Sequence, residues 1–316
     1  MKIKVLITQA LFPESYSSIL NRYDCIMPKE NSFSKAEIMN KITDCDALLS
    51  MFNFKIDKEI IDAGTKLRII SNFGVGFNNI NVEYASERDI VVTNTPDVVI
   101  EPTAELAFGM MLDLVRQISY ADRRIRKQSV KWGVLENLSH SLNGKILGII
   151  GFGNVGQTIA RRAVASGMKI VYNSRNRVSA DIEQKYDAKW LNLDSLLSVS
   201  DVVSVNTPYN LETHHLINLE RLQMMKSTAY LVNTSRGAVV DEKALIYALQ
   251  NGIIAGAALD VYEQEPTIPS ELIELDNVVL SPHAGTATRD VRNLMASAAC
   301  QNIINFFEGG SITRVY

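Results

Sequence analysis

Short apolar runs bounded by turn residues alternate with helical patterns along the first third of the chain. The runs cover 5–7, 47–50, 67–71 and 90–92. Runs of this length are typical of buried strands, and the longer segments between them suit connecting helices. The alternation predicts βαβ units with a parallel sheet, and therefore an α/β unit at the start of the chain.

A second alternation begins further along the chain and ends in an amphipathic helix at about 287–307. Its apolar runs cover 144–150, 169–172, 201–205, 229–232, 255–258 and 277–280. A chain of 316 residues also exceeds the usual size of a single core. We predict an α/β protein of two Rossmann-like doubly wound domains with an interdomain cleft. Residues 1–98 with 287–316 form a discontinuous substrate domain, and 99–286 form the dinucleotide-binding domain.

The segment 101–127 has apolar residues at helical spacing, with further apolar residues between them. A helix that is apolar on more than one face must be covered on more than one side. We therefore predict one helix that connects the domains and packs against a second subunit, giving a homodimer; the alternative is a helix buried within one chain. The basic run at 123–127 complements the negative end of such a helix, and we interpret it as a solvated face.

Composition and charge narrow the function classes. The chain is 47% hydrophobic and 21% charged, with a formal net charge of -3. This balance is typical of a globular protein and provides no general field for nucleic acid or an anionic membrane. Three cysteines without paired or metal-ligand spacing indicate a reducing compartment, so we expect a cytoplasmic protein without a metal site.

A glycine motif of the form Gly-x-Gly-x-x-Gly directly follows the apolar run at 144–150. Gly151 permits a tight turn, Gly153 lets a pyrophosphate approach the backbone, and Gly156 lets helix and strand pack closely. The N–H groups of Asn154 and Val155 at the helix start then face the phosphates. The motif predicts a bound dinucleotide; the alternative is a glycine turn with a structural role only.

The turn at 172–177 bears on which dinucleotide is bound. It has no carboxylate to hold ribose hydroxyls, whereas Ser174 and Arg175 form a candidate cradle for a 2′-phosphate, with Arg177 as support. We therefore expect NADPH to be preferred and NADH to be possible. The alternative is a solvated basic turn.

Arg236, Glu265 and His283 are the candidate catalytic residues. His283 follows an apolar strand, where ligands of doubly wound sheets bind, and a neighbouring carboxylate would favour its protonated form. Glu263 and Glu265 are both possible partners. Arg236 also follows a strand, and its guanidinium suits a substrate carboxylate or an interdomain salt bridge.

The other histidines and a second loop complete the set of candidates. His140, His214 and His215 occur in loop or helix-start contexts and are expected at the surface. The loop 72–79 follows an apolar strand and contains two glycines, so its backbone N–H groups suit a substrate carboxylate.

These motifs make the chain resemble the D-isomer-specific 2-hydroxyacid dehydrogenase family over nearly its full length. The resemblance is carried by the segments 74–81, 93–96, 151–156, 233–237, 258–266 and 281–288. It implies that Arg236 binds a 2-oxo acid, that His283 is the acid/base, and that Glu265 rather than Glu263 is its partner. It further implies substrate binding by the amides of Val75 and Gly76, and a cofactor site lined by Thr103, Thr207, Thr234 and Asp260.

Within this family, the turn at 172–175 and the run at 283–288 look most like glyoxylate, hydroxypyruvate or 2-ketogluconate reductases. The resemblance therefore implies NAD(P)-dependent reduction of a small 2-oxo acid to a D-2-hydroxy acid. Two alternatives stay open: an NAD-dependent D-lactate-type dehydrogenase, and a dinucleotide-sensing corepressor or scaffold.

Overall fold

The computed structural model describes residues 2–12 and 14–316, which divide into two compact units. Unit 1 comprises the described residues up to Val99 together with Thr286–Tyr316, and unit 2 comprises Ile100–Gly285. The strands are β1 Lys4–Ile7, β2 Asp24–Ile26, β3 Ala47–Met51, β4 Ile69–Phe73, β5 Val91–Thr93, β6 Ile146–Ile150, β7 Lys169–Asn173, β8 Ala188–Trp190, β9 Val202–Val205, β10 Tyr230–Asn233, β11 Gly256–Leu259 and β12 Val278–Leu280.

The helices of the described residues range from single turns to the long α5 and α13. They are α1 Ser17–Leu20, α2 Lys35–Ile42, α3 Lys58–Ala63, α4 Val82–Glu87, α5 Ile100–Arg116, α6 Ile118–Arg126, α7 Asn154–Ala165, α8 Ala180–Tyr186, α9 Leu193–Val199, α10 Leu219–Met224, α11 Glu242–Gln250, α12 Ser270–Ile273 and α13 Arg289–Glu308. Two 3₁₀ turns cover Asp97–Val99 and Gly237–Val239.

Unit 1 has a five-stranded parallel sheet in the order β2-β1-β3-β4-β5. The central strands β3 and β4 are buried along their whole length, as expected for a parallel sheet covered on both faces. Helix α13 packs on β4, and the Ser71 hydroxyl donates a hydrogen bond to the Ala299 carbonyl at 2.8 Å. The C-terminal segment is therefore part of the core of unit 1.

Unit 2 has a seven-stranded parallel sheet in the order β12-β11-β10-β9-β6-β7-β8. Strands β7 and β8 are added on one side of β6, and the strands from β9 onward are added on its other side. The strand order therefore reverses between β6 and its neighbour β9, which pair in parallel. In sheets of this kind ligands bind beyond the carboxyl ends of the strands at such a point. The glycine motif follows β6 and therefore lies at this point. The predicted α/β class with two parallel Rossmann-like sheets is confirmed.

Local sequence explains where α13 begins and ends. The Thr288 hydroxyl accepts a hydrogen bond from the Val291 N–H at 3.4 Å, which caps the first turn. Gly309 ends the helix with a φ of 80°, a conformation that glycine adopts without a steric penalty. Between these caps Met295, Ala299 and Ile303 recur at four-residue spacing and are buried against the sheet.

Two sequence predictions are corrected by the secondary structure. The segment 101–127 is not one helix, because Gln117 adopts a left-handed conformation with a φ of 54° and separates α5 from α6. Helix α5 buries one face within unit 2, whereas none of the described residues of α6 is buried. The short strands β2 and β8 were not predicted; each lies at a sheet edge and lacks a continuous buried run.

Within residues 2–12 and 14–316, no helix combines the length and the apolar character needed to cross a bilayer. The predicted cytoplasmic location stays a prediction.

Candidate active site

The glycine motif forms a tight turn between β6 and α7. Gly151 has a φ of 90°, and a Cβ at this position would lie 2.8 Å from the Asn206 carbonyl. A Cβ on Gly156 would lie 2.3 Å from the Gly151 carbonyl oxygen. In contrast, a Cβ on Gly153 would meet no atom within 4 Å. Two glycines thus allow the backbone to fold tightly, and the third keeps its outer side open to a ligand.

Helix α7 begins directly at this turn and presents unpaired donors. Its N-cap is Gly153, which provides no side-chain oxygen to accept the N–H groups of the first turn. The N–H groups of Asn154 and Val155 therefore point out of the helix end, where the macrodipole favours negative charge. A pyrophosphate would satisfy these donors.

Two buried polar atoms at the carboxyl ends of neighbouring strands have no partner among the described residues. They are Oγ1 of Thr234, after β10, and Oδ1 of Asn206, after β9. Buried polar groups are almost always hydrogen-bonded, so these atoms indicate a missing polar ligand. Thr207, half-buried, directly follows Asn206. Together with the glycine turn, these residues fit a dinucleotide cofactor, and Asn206 adds a residue that the sequence prediction missed.

Asp260 and Thr103 lie beside the turn that follows His283. The buried Asp260 carboxylate accepts the N–H groups of Ala284 at 2.7 Å and Gly285 at 2.9 Å. A Cβ on Gly285 would lie 3.4 Å from Oγ1 of Thr103. Both predicted cofactor residues therefore adjoin the turn at 284–285, and Asp260 holds its backbone in place.

The turn after β7 contains the residues predicted to select the cofactor. The Ser174 hydroxyl donates to the Asn176 carbonyl at 2.6 Å, and the Arg175 side chain is exposed. Arg177 binds Glu183 through two 2.8 Å hydrogen bonds. The predicted supporting role of Arg177 is therefore weakened, because its guanidinium is already paired within the protein.

His283 and Glu265 form a hydrogen-bonded pair. Nδ1 of His283 lies 2.7 Å from Oε2 of Glu265, and about a third of each side chain is exposed. An ionised carboxylate can only accept, so the imidazole donates through Nδ1–H. Burial tends to raise the pKa of Glu265, but the hydrogen bond and charge of His283 outweigh it, and the pKa lies below the ordinary value.

Backbone geometry holds both partners of this pair. Oε1 of Glu265 accepts the Tyr262 N–H at 3.1 Å. His283 has a φ of 53°, in the left-handed region that residues other than glycine seldom adopt. Unfavourable backbone conformations persist where surrounding contacts enforce them, and they concentrate at functional sites.

Arg236 lies after β10, directly before the 3₁₀ turn Gly237–Val239. Burial lowers the pKa of its guanidinium, and the negative charge of Glu265 opposes that effect. Its Nη1 donates to the Ser235 carbonyl at 2.6 Å. A Cβ on Gly237 would lie 2.0 Å from the backbone of Tyr262, so the segments that carry Arg236 and Glu265 are in direct contact. Within unit 2, the guanidinium of Arg236 therefore lies close enough to the Glu265 carboxylate for the two charges to interact.

The structure also distinguishes Glu263 from Glu265. Oε1 of Glu263 lies 2.8 Å from Nε2 of His215, whereas Glu265 contacts His283. The choice of Glu265 is therefore consistent with the geometry. His215 keeps about a third of its side chain exposed, and its ring lies between Glu263 and Asp241, contacts that the sequence prediction did not include. His140 and His214 are exposed.

The predicted anion nest lies in unit 1, after β4. The carbonyls of this loop accept side-chain donors: Asn94 donates to Val75 at 2.8 Å, and the buried Asn72 donates to Gly76 at 2.8 Å. Across residues 2–12 and 14–316, no acceptor takes the N–H groups of Val75 or Gly76. The loop therefore presents two adjacent unpaired amides, as an anion site requires.

Comparison with known proteins agrees with this arrangement. Residues 108–285 match the family model described as D-isomer specific 2-hydroxyacid dehydrogenase, NAD binding domain. A glyoxylate reductase of Thermococcus onnurineus is 42% identical over 315 residues, covering 98% of this chain and 94% of that relative.

Two solved structures carry the same fold with a ligand. An NADPH-dependent glyoxylate/hydroxypyruvate reductase from Sinorhizobium meliloti, in complex with NADP and malonate, has a TM-score of 0.88 and 32% identity and covers 100% of this chain and 97% of its own. A D-lactate dehydrogenase from Aquifex aeolicus, complexed with NAD and lactic acid, has a TM-score of 0.86 and 29% identity and covers 96% of each chain. The predicted class, a nicotinamide-dependent oxidoreductase, is confirmed. The chain belongs to the D-isomer-specific 2-hydroxyacid dehydrogenase family.

Proposed function

We propose that the protein reduces the carbonyl of a small 2-oxo acid to a D-2-hydroxy acid. The observation that carries the proposal is the 2.7 Å pair of His283 and Glu265, with the half-buried Arg236 on an adjoining segment. Nicotinamide chemistry supplies the hydride that adds to the carbonyl carbon. His283 donates a proton to the carbonyl oxygen, so the product is an alcohol and the imidazole is left neutral.

The remaining residues of the site bind and orient in this proposal. Glu265 accepts the Nδ1–H of His283 and so fixes the orientation and tautomer of the ring. Arg236 binds the anionic substrate, and its charge stabilises the oxygen that becomes negative as hydride adds. We assign the substrate carboxylate to the amides of Val75 and Gly76, which lack an acceptor among the described residues.

We also propose that each unit has its own task. The discontinuous unit that contains the 74–76 loop acts as the substrate domain, and the unit that contains the glycine motif binds the dinucleotide. The orphaned Thr234 hydroxyl and the open face of Gly153 support the second assignment. On this basis Thr103, Thr207 and Asp260 line or support the same cofactor site.

The substrate is tested with a panel of glyoxylate, hydroxypyruvate, pyruvate, phenylpyruvate and 2-ketogluconate. Relatives named glyoxylate reductase at 42% identity favour glyoxylate, so kcat/KM is expected to be highest for glyoxylate or hydroxypyruvate. A clear preference for pyruvate with NADH would instead favour a D-lactate-type enzyme, whose fold is shared. Failure to reduce any member of the panel would overturn the proposal and reopen the corepressor alternative.

We infer that NADPH is preferred over NADH. The exposed Arg175 has no carboxylate within ion-pair distance among the described residues, and Ser174 lies beside it. A 2′-phosphate would provide the missing anion. Arg175→Ala should lower kcat/KM with NADPH and leave kcat/KM with NADH nearly unchanged. Arg177→Ala is the matched control, because Arg177 already pairs with Glu183. Equal effects on both coenzymes would contradict the assignment.

We propose a homodimer through the predicted 101–127 segment and the residues that directly follow it. Helix α6 has no buried residue, and the segment after it exposes Trp132, Val134, Leu135 and Leu138 to between 66% and 94%. Four such side chains within seven residues form the kind of apolar patch that marks an interface. A second copy of this chain is the occupant we propose, as homo-oligomers are usually closed and symmetric.

The dimer is tested by sedimentation of the variant Trp132→Ser/Leu135→Ser. The unsubstituted protein should sediment as a dimer, and the variant as a monomer. Leu211→Ser provides a control, because Leu211 is 94% exposed but lies on a different loop. A monomeric unsubstituted protein would refute the proposal.

A further inference from the structure

His215 connects three segments of unit 2 that lie around the catalytic residues. Its backbone N–H donates to the Ala238 carbonyl at 2.8 Å, and the Ile217 N–H donates to the Val239 carbonyl at 3.0 Å. The segment 215–217 therefore runs alongside the 3₁₀ turn Gly237–Val239 that directly follows Arg236.

The His215 side chain extends this connection to the loop after β11. Its Nε2 lies 2.8 Å from Oε1 of Glu263, and its Nδ1 lies 3.8 Å from Oδ2 of Asp241. Each ring nitrogen thus faces a different carboxylate. The ring of the exposed His214 stacks on His215 at a centroid distance of 3.9 Å.

Glu263 also forms hydrogen bonds with Glu242 at the start of α11. Its Oε1 also accepts the Glu242 N–H at 3.0 Å, and its own N–H donates to Oε2 of Glu242 at 3.3 Å. These reciprocal bonds fasten the loop residue Glu263 to the helix that follows the Arg236 turn. The titratable groups around His215 are therefore Asp241, Glu242, Glu263 and His214.

The same two segments carry the catalytic candidates. Glu265 follows Glu263 by two residues, and Arg236 precedes Gly237, whose backbone packs directly on Tyr262. A movement of either segment would therefore change the positions of Glu265 and Arg236. His215, with a φ of 48°, also holds a left-handed backbone, as His283 does. An unfavourable conformation of this kind persists only where contacts enforce it.

We propose that His215 is a positioning residue for the reductase site: held between Asp241 and Glu263, it fixes the segments that present Arg236 and Glu265. This inference rests on the proposed function for its kinetic part. His215 acts through Glu265 and does not touch the reacting atoms. Its loss should therefore lower kcat and disturb the His283–Glu265 pair, while the glycine turn that binds the cofactor is unaffected.

A metal site is the competing interpretation of these residues, since ligand atoms of His215, Asp241 and Glu263 all lie within 4.8 Å of one another. The geometry favours direct pairing. Nε2 of His215 lies at hydrogen-bond distance, 2.8 Å, from Oε1 of Glu263, and its Nδ1 faces Asp241, so each ring nitrogen already faces a carboxylate.

The test compares His215→Ala and His215→Gln with the control His214→Ala. We measure kcat and KM for glyoxylate, the affinity for NADPH by fluorescence, and the ring resonances of His283 by NMR at a fixed pH. His215→Ala should lower kcat by about 10- to 100-fold, the range expected when a catalytic group is slightly misplaced. NADPH affinity should not change. The glutamine variant should recover part of the loss, because its amide N–H can still donate to Glu263.

Loss of positioning also has a distinct signature in the NMR spectrum. The Nδ1–H of His283 donates to Glu265, so displacement of Glu265 should shift the ring resonances of His283, whereas His214→Ala should leave them unchanged. Unchanged His283 resonances in His215→Ala, or an equal loss of kcat in His214→Ala, would overturn the proposal. So would loss of activity on chelation that Zn²⁺ or Mn²⁺ restores. If the unsubstituted protein reduces no 2-oxo acid, the proposed function fails, and the His283 ring resonances still decide the positioning role.

Discussion

Nδ1 of His283 lies 2.7 Å from Oε2 of Glu265, although the two residues are 18 positions apart in the chain. The contact depends on two separate supports. The Tyr262 N–H orients the Glu265 carboxylate, and Asp260 holds the backbone directly after His283. These hydrogen bonds position the pair but take no part in the proposed proton transfer. A substitution of His283 should therefore remove the proton donor and leave the supporting backbone in place.

Replacing His283 with Ala should abolish most of the acid catalysis and little else. We expect kcat for glyoxylate reduction to fall by roughly 10² to 10⁴, the usual contribution of a positioned general acid. Stopped-flow measurement of coenzyme oxidation gives the rate, and fluorescence titration should show nearly unchanged NADPH binding. His140→Ala is the control, because His140 is exposed and lies on another segment. Unchanged turnover in His283→Ala would end this assignment.

Glu265→Gln should alter the dependence of stability on pH. The pKa of Glu265 is below its ordinary value of 4.5, so the folded state holds this carboxylate ionised more strongly than the unfolded state does. Its stabilising contribution is then fully present above about pH 4.5 and is lost as the pH falls through the lowered pKa. Melting curves should show the unsubstituted protein above the variant at pH 7, with the gap closing toward pH 3. A gap independent of pH would contradict this account.

The three glycines of the motif should respond differently to alanine. Gly156→Ala places a methyl group 2.3 Å from a backbone oxygen, so both the melting temperature and NADPH affinity should fall. Gly153→Ala meets no protein atom within 4 Å, so only NADPH affinity should fall. Calorimetry and fluorescence titration separate the two effects. Gly109→Ala in α5 is the control, where alanine should stabilise the helix by about 1 kcal/mol without affecting NADPH. Normal NADPH affinity in Gly153→Ala would show that the open face is not a phosphate site.

The three thiols should be slow to alkylate in the folded protein. Burial raises the pKa of Cys25 and of Cys45 to about 11 and that of Cys300 to about 12, so little reactive thiolate exists at pH 8. Cys25, the only one of the three that is not fully buried, should react first with iodoacetamide. Mass spectrometry over time gives the order, and guanidinium should make all three react at similar rates. Fast modification of Cys300 under native conditions would contradict its burial.

The sequence predicted the parts of the fold that depend on continuous apolar runs. The buried strands β3, β4, β6, β9, β10 and β11 have such runs, and the residues directly after their carboxyl ends supplied most site candidates. In a parallel sheet these ends meet at one edge, so position along the chain was enough to select Arg236, whereas Asp260 and Thr234 were implied by the family resemblance.

The features that the sequence analysis missed depend on side-chain contacts between separate segments or on the backbone conformation of a single residue. No glycine or proline marks Gln117, so the break between α5 and α6 has no sequence signal. The pairing of His215 with Glu263, and of Arg177 with Glu183, joins residues whose spacing predicts nothing. Asn206 was detectable, because it directly follows β9, as Thr234 follows β10.

Helix α13 packs on the sheet of unit 1 although it follows unit 2 in the sequence. This order along the chain affects folding during synthesis. Residues 100–285 are contiguous, so unit 2 has all of its strands as soon as they leave the ribosome. Strands β1 to β5 must wait for α13, which covers β4. During that interval an apolar sheet face is exposed on the nascent chain, and chaperones that bind such faces would encounter the first hundred residues rather than the middle of the protein.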